Sequence, residues 1–210
     1  VKPPLAWWGA PTPPIHLAKP DTPPIARRAE RLLSAAVIAV YLLAALGFSL
    51  GPIFEGPDEI EHYRYTRYLV EQRALPPLDG QPFGEYHQPP LYYALITPLA
   101  GLLPDGDFEA IDGRRNLHYS ANFELVGNDN KNLYLHSEAE AFPYSGSQTA
   151  LAVHTLRLLS VLMGLGTVLA ARQVFALLWP EQPLPRLLAL SFVGLWPQFV
   201  YLSSVITNDG

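Results

Sequence analysis

Nineteen consecutive uncharged residues lie between Leu32 and Leu50, the most polar of them serine, tyrosine and glycine. In a helix that rises 1.5 Å per residue, such a run covers about 28 Å, close to the roughly 30 Å of hydrocarbon in a bilayer. The rest of the chain fits a membrane setting. Of 210 residues, 49% are hydrophobic and only 16% charged, which is more apolar and less charged than an average soluble domain. A formal charge of −5 without a basic stripe argues against nucleic acid as a partner. The chain has no cysteine, so disulfides, thiolate zinc sites and cysteine nucleophiles are excluded.

Residues 1–26 carry a proline-rich stretch without helical or strand period, expected to be a disordered cytoplasmic tail. Arg27, Arg28 and Arg31 follow, directly ahead of the apolar run, and by the positive-inside rule they hold its start in the cytoplasm. The run is longer than the apolar region of a signal peptide and no small-residue cleavage site follows it, so an uncleaved span over 32–50 is expected. The chain then emerges near Gly51. Asp58, with Glu61 three residues later, has the spacing of a capping box for an amphipathic helix over 59–73, rich in tyrosine and suited to the bilayer interface.

A second apolar run over 91–103 is short for a crossing and is expected to be interfacial or re-entrant. Residues 105–150 carry eight acids against Arg114, Arg115 and Lys131 and form an extracytoplasmic insertion. Further spans are expected over 151–178 and 187–206, with Gly164 and Gly166 allowing close helix approach and Pro197 kinking the last span. Arg172 and Arg186 flank the turn between them, which this topology puts on the cytoplasmic side. Thr207, Asn208, Asp209 and Gly210 then reach the same face as Asp58. The absence of an initiator methionine and of a closing polar tail leads us to expect an N-terminal piece of a longer chain.

Two adjacent carboxylates at the mouth of a membrane helix can serve as a base for a hydroxyl acceptor. Asp58 and Glu59 stand there, with His62 on the same helical face, and Glu59 and His62 could share a divalent ion or a phosphate. The blander reading is a helix cap and a first-turn acid. His87, Gln88, Tyr92 and Tyr93 border a rigid Pro89-Pro90 corner that could present them to a sugar or lipid head group, or simply start a helix. Arg157, close to His154 inside an apolar run, is either a ligand for a lipid-linked phosphate or a snorkelling cation. Asn208 and Asp209 end the last span, where they could also be an ordinary turn.

Taken together, Pro57-Asp58-Glu59 with His62, Gln88-Pro89-Pro90-Leu91-Tyr92-Tyr93, Arg157-Leu158-Leu159-Ser160 and Asn208-Asp209 resemble the N-terminal part of GT-C membrane glycosyltransferases. The likeness is to the family 39 or protein O-mannosyltransferase-like group and its aminoarabinose transferase relatives, over residues 30–210 without the insertion. It implies an all-α, multi-pass cell-membrane protein with a GT-C-like helix bundle and interfacial helices in its first extracytoplasmic loop. It implies transfer of a sugar from a polyprenyl-phosphate carrier to a protein, glycan or lipid acceptor outside the cytoplasm. The catalytic aspartate of that family maps onto Asp58, with Glu59 as its partner. Relatives often carry lysine where this chain has Gln88, which shifts the expected phosphate contact to Arg157. Such enzymes have more spans than this chain, so the chain alone is expected to be inactive. The alternatives are a transporter or lipid-binding subunit, whose acids would line a path, and a structural anchor.

Overall fold

The computed structural model describes residues 24–77, 85–119 and 132–209, and most of the proline-rich tail lies outside them. Among the described residues the chain is all-helical, with no strand and a single isolated bridge between Arg115 and Tyr134. The helices are α1 (Pro24–Ser49), α2 (Glu59–Gln72), α3 (Leu91–Ala100), α4 (Phe108–Asp112), α5 (Gln148–Leu178), α6 (Pro183–Gly194) and α7 (Pro197–Leu202). A 3₁₀ turn spans Glu138–Glu140.

Helix α1 begins at Pro24, earlier than the expected end of the tail, and takes the three arginines into its first turns. Its buried residues Ser34, Val37, Tyr41, Ala45 and Ser49 recur every three or four positions and form one stripe. Leu33, Val40, Leu43, Phe48 and Leu50 lie outside that stripe and are exposed. The stripe packs antiparallel against α5, so that Tyr41 donates to Val161 O while Ser49 O, nearer the end of α1, meets His154 and Arg157. Two helices, Arg27–Ser49 and Gln148–Leu178, are long and apolar enough to cross a membrane. In their most apolar windows only 22% and 17% of residues are buried, whereas the core helix of a soluble protein would be mostly enclosed. Exposed leucines on both therefore support association with lipid.

Close approach in this pair depends on Gly164. A Cβ there would lie 2.1 Å from Tyr41 Oη and 2.7 Å from Ser203 Cβ. Gly166, expected to play the same part, has nothing within 4 Å of its Cβ position.

The expected single span over 187–206 is instead broken. Helix α6 stops at Gly194, Trp196 turns to an extended conformation with ψ 118°, and α7 starts at Pro197 and runs for 6 residues. Pro197 has no N–H to continue α6, and its ring pushes the preceding residue out of the helical region. The break turns residues 203–209 back into the protein, where Ser203 to Thr207 are buried.

Helix α3, at 10 residues, rises about 15 Å, half the hydrocarbon thickness. It packs along α2, and the residues after it return to α2 through Asp105, which lies 2.8 Å from Arg67 Nε. The described part of the insertion is packed, not extended into solvent. Phe108, Ile111, Tyr134 and Tyr144 share a core with Ile53, Phe54, Tyr63, Ile96, Leu156 and Ile206. A second core, built on Val37, Tyr41, Val161, Val168, Leu190 and Val200, holds the long helices together.

Candidate functional site

The site forms where α1 ends. The last carbonyls of a helix have no partner within it, and a buried helix end needs donors from elsewhere. Arg157 of α5 supplies them, donating from Nη1 to Ser49 O at 3.1 Å and Gly51 O at 2.5 Å, and from Nη2 to Pro52 O at 2.9 Å. His154, one turn earlier, contacts Ser49 O through Nδ1 at 2.8 Å.

A guanidinium buried to 1% exposure needs a counter-charge, and Glu59 provides it. Arg157 Nε lies 2.7 Å from Glu59 Oε1 and Nη2 lies 2.6 Å from Oε2. Each carboxylate oxygen also accepts a backbone N–H, Oε1 from Ile206 and Oε2 from Phe54. Burial alone would raise the Glu59 carboxyl, but the Arg157 charge and these hydrogen bonds outweigh it and hold Glu59 below its ordinary value. The pair therefore ties the end of α1, the start of α2, α5 and the 206 segment into one knot. This corrects the expected roles. Arg157 is enclosed by protein instead of being open to a lipid phosphate, and both Glu59 oxygens are committed, away from an acceptor or a metal ion shared with His62.

Asp58, its neighbour in sequence, is exposed. It stands at the N-cap position of α2 in the left-handed region, φ 50° and ψ 14°, without the expected side-chain cap bond. Glu61, the other half of the expected capping box, pairs with Arg64 instead. Aspartate tolerates this conformation better than most residues. The local turn buries Glu59 beneath the loop and leaves the Asp58 carboxylate facing outward.

Behind Asp58 runs a hydrogen-bonded chain. His62 Nδ1 lies 2.6 Å from Tyr93 Oη and Nε2 lies 3.1 Å from Thr207 Oγ1. Tyr93 donates to Asn208 Oδ1, Asn208 Nδ2 donates to Gln88 Oε1, and Gln88 Nε2 donates to Glu85 Oε2. Burial lowers the His62 pKa below its ordinary 6.5, against the opposing pull of Glu85, Asp209 and Asp58, so the ring is neutral at pH 7. With the Tyr93 proton directed to Asn208, the consistent tautomer donates from Nδ1 to Tyr93 and accepts at Nε2 from Thr207. Every donor then points one way along the chain, ending at Glu85. Burial also raises the Tyr93 hydroxyl, keeping it protonated.

The ten residues singled out from the sequence lie in these two adjoining networks or beside them. Tyr92 bonds Ser160 Oγ at 2.7 Å and Asp209, exposed, sends its N–H to Thr207. His87, mostly exposed, touches only the outer end of the chain, 3.3 Å from Glu85. Among the described residues no group of three or more His, Asp or Glu could hold a metal ion.

Two concavities flank the networks. An apolar groove of about 370 Å³ runs between α3, α5 and α7, lined by Leu91, Leu95, Met163 and Leu202, with Tyr92, Ser160, Thr207 and Asn208 as its polar rim. On the other side, Asp58 lines a pocket of about 340 Å³ together with Arg115, Asn116, Tyr119 and Tyr134. Sequence reading gave no site role to Arg115 or Glu55, and named Ser160 and Thr207 only as neighbours of Arg157 and Asn208. Glu55 receives the Leu133 and Tyr134 N–H groups and His136 Nε2, fastening the insertion to the first loop. The signals for Ser160 and Thr207 were their places at the end of Arg157-Leu158-Leu159-Ser160 and at the end of the last apolar run. No protein-family model, curated protein or solved structure matches this chain.

Proposed function

We propose that the chain is the N-terminal part of an integral membrane glycosyltransferase of the GT-C type, using a polyprenyl-phosphate sugar on the extracytoplasmic face. The observation that carries this reading is the position of Asp58. It is an exposed carboxylate in the loop that follows a long apolar helix, with an apolar groove and the Arg115 pocket on either side of the network behind it. In this reading the polyprenyl chain lies in the groove and its phosphate meets the hydroxyl and amide rim at Tyr92, Ser160, Thr207 and Asn208. The acceptor enters the Arg115 pocket. Asp58 takes the proton of the acceptor hydroxyl as its oxygen attacks the anomeric carbon, the bond from that carbon to the phosphate oxygen breaks, and polyprenyl phosphate leaves with the bonding pair. Attack opposite the leaving group inverts the anomeric centre. The neutral His62–Tyr93–Asn208 chain positions the rim, and the Glu59–Arg157 pair holds the loop.

A path-lining transporter is less favoured, because such a protein needs ionisable groups near the middle of its spans. No Asp, Glu, Lys, Arg or His occurs in α1 after Arg31 or in α5 between Arg157 and Arg172, and Arg157 is already engaged. The test is Asp58→Asn in the full-length protein, assayed in membrane vesicles with a radiolabelled polyprenyl-phosphate sugar. Transfer should be abolished at unchanged expression and melting temperature, and retained transfer would exclude Asp58 as the base.

A further inference from the structure

At the opposite end of the long helices, the start of α1, the end of α5 and the start of α6 enclose a polar cavity of about 390 Å³. Four arginines line it, Arg27 and Arg31 from α1, Arg172 from α5 and Arg186 from α6, against two acids, Glu30 and Glu181. Arg186 reaches Glu30 at 2.7 Å, which fastens α6 to α1. Its Nε is buried with no hydrogen-bond partner among the described residues, a donor in want of an acceptor. The lining thus carries more basic than acidic side chains.

Its border is apolar. Leu32 and Leu33 on α1, Leu177 and Leu178 on α5, and Leu184 and Leu188 on α6 are all more than half exposed. A basic cavity that opens between exposed leucines matches an amphipathic ligand with an anionic head and hydrocarbon tails. Arginine also suits a phosphate group, which it can bind through two parallel N–H donors. We infer that this cavity binds the phosphate head group of an anionic phospholipid, with the acyl chains against the leucines of α1, α5 and α6. This site is separate from the one around Asp58: on α5, Arg172 and Ala176 lie about 22–28 Å along the helix from Arg157, and lipid binding here does not depend on glycosyl transfer. Bound lipid would add to the Arg186–Glu30 pair that fastens α6 to α1 at this end.

The experiment measures lipid binding to the detergent-solubilised full-length protein by native mass spectrometry and by the shift of its melting temperature. The probes are phosphatidylglycerol, phosphatidylcholine and inorganic phosphate. Phosphatidylglycerol should bind at least tenfold more tightly than phosphatidylcholine, and millimolar inorganic phosphate should not displace it. At roughly a factor of five per arginine near a charged head group, the double variant Arg31→Gln/Arg172→Gln should bind phosphatidylglycerol on the order of 25-fold more weakly. Glu181→Gln, which removes an opposing charge, should bind it about fivefold more tightly, a gain that misfolding cannot imitate. Equal binding of the two lipids, or no change in either variant, would overturn the inference. Displacement by inorganic phosphate would overturn the lipid assignment in favour of a free-anion site.

Discussion

Glu59→Gln is nearly isosteric and removes one charge, yet it should be among the most damaging single changes in this chain. Each Glu59 oxygen faces one Arg157 donor and one backbone N–H. Whichever way the new amide turns, its NH₂ group confronts two donors and loses two hydrogen bonds. The Arg157 charge is left buried without its partner, a situation that costs about 3–5 kcal/mol, against a total stability of about 5–15 kcal/mol for a typical domain. Replacing a buried ion pair by two apolar residues is often harmless, but here the pair also satisfies the carbonyls of Ser49, Gly51 and Pro52 and the N–H groups of Phe54 and Ile206. Of these, Gly51 O, Pro52 O, Phe54 N and Ile206 N would be orphaned at about 1–3 kcal/mol each, while Ser49 O keeps its contact with His154 Nδ1. The double variant Glu59→Leu/Arg157→Met should therefore be no more stable than Glu59→Gln. The assay is thermal unfolding of the purified full-length protein in micelles, with Asp58→Asn as the control that melts like the parent. A Glu59→Gln protein that melts normally but has lost transfer would refute the structural role and return Glu59 to the chemistry. Full stability in the double variant would refute the account of these backbone groups.

Further outcomes follow from the same geometry. Because the folded Glu59 pKa lies below its ordinary 4.5, its stabilisation is fully present above pH 4.5 and is lost only as pH falls through the depressed value, so acid melting curves should be steeper for the parent than for Glu59→Gln. His62 is lowered from 6.5 by burial, so its contribution is intact above pH 6.5 and declines as pH falls towards the folded value; a histidine NMR titration should place its midpoint below 6.5. Tyr93→Phe deletes the acceptor of His62 Nδ1–H and should lower stability by about 1–3 kcal/mol in chemical denaturation. Gly164→Ala drives a methyl into Tyr41 Oη and should cost about 1–3 kcal/mol in the same measurement, whereas Gly166→Ala should be neutral or slightly stabilising.

Apolar period and length made α1 and α5 legible in the sequence, because a run that crosses about 30 Å without charge has few alternatives. The Pro197 position was legible as a disturbance but not as a full break, since proline kinks some helices and ends others according to what the following residues can bury. Here Ser204, Ile206 and Thr207 are almost fully enclosed once the chain turns back, and that burial favours the break. The convergence of Asp58, His62, Tyr93, Gln88 and Asn208 could be anticipated from their positions at the ends of apolar runs. Their division of labour could not. Nothing in Asp58-Glu59 as a dipeptide says which acid meets Arg157, because the choice is made by the left-handed turn at Asp58 and by the carbonyls at the end of α1.

That division explains how adjacent acids in one loop can differ so completely. Buried beside an arginine and two N–H groups, Glu59 is held ionised and has no lone pair left for a substrate. Asp58 keeps its oxygens available because the knot beneath it satisfies the loop without its help: Phe54 N and Ile206 N go to Glu59, and the α1 carbonyls go to Arg157. The exposed carboxylate is thus carried on a loop whose backbone is fixed from below, the condition under which a base stays positioned without being consumed by its own scaffold. It follows that repairing the Asp58 cap bond, by any change that lets α2 start in the usual extended N-cap conformation, would draw the carboxylate onto the Glu61 N–H and away from the pocket. Stability would rise while transfer fell, and that opposition is the signature expected of a functional strain at this residue.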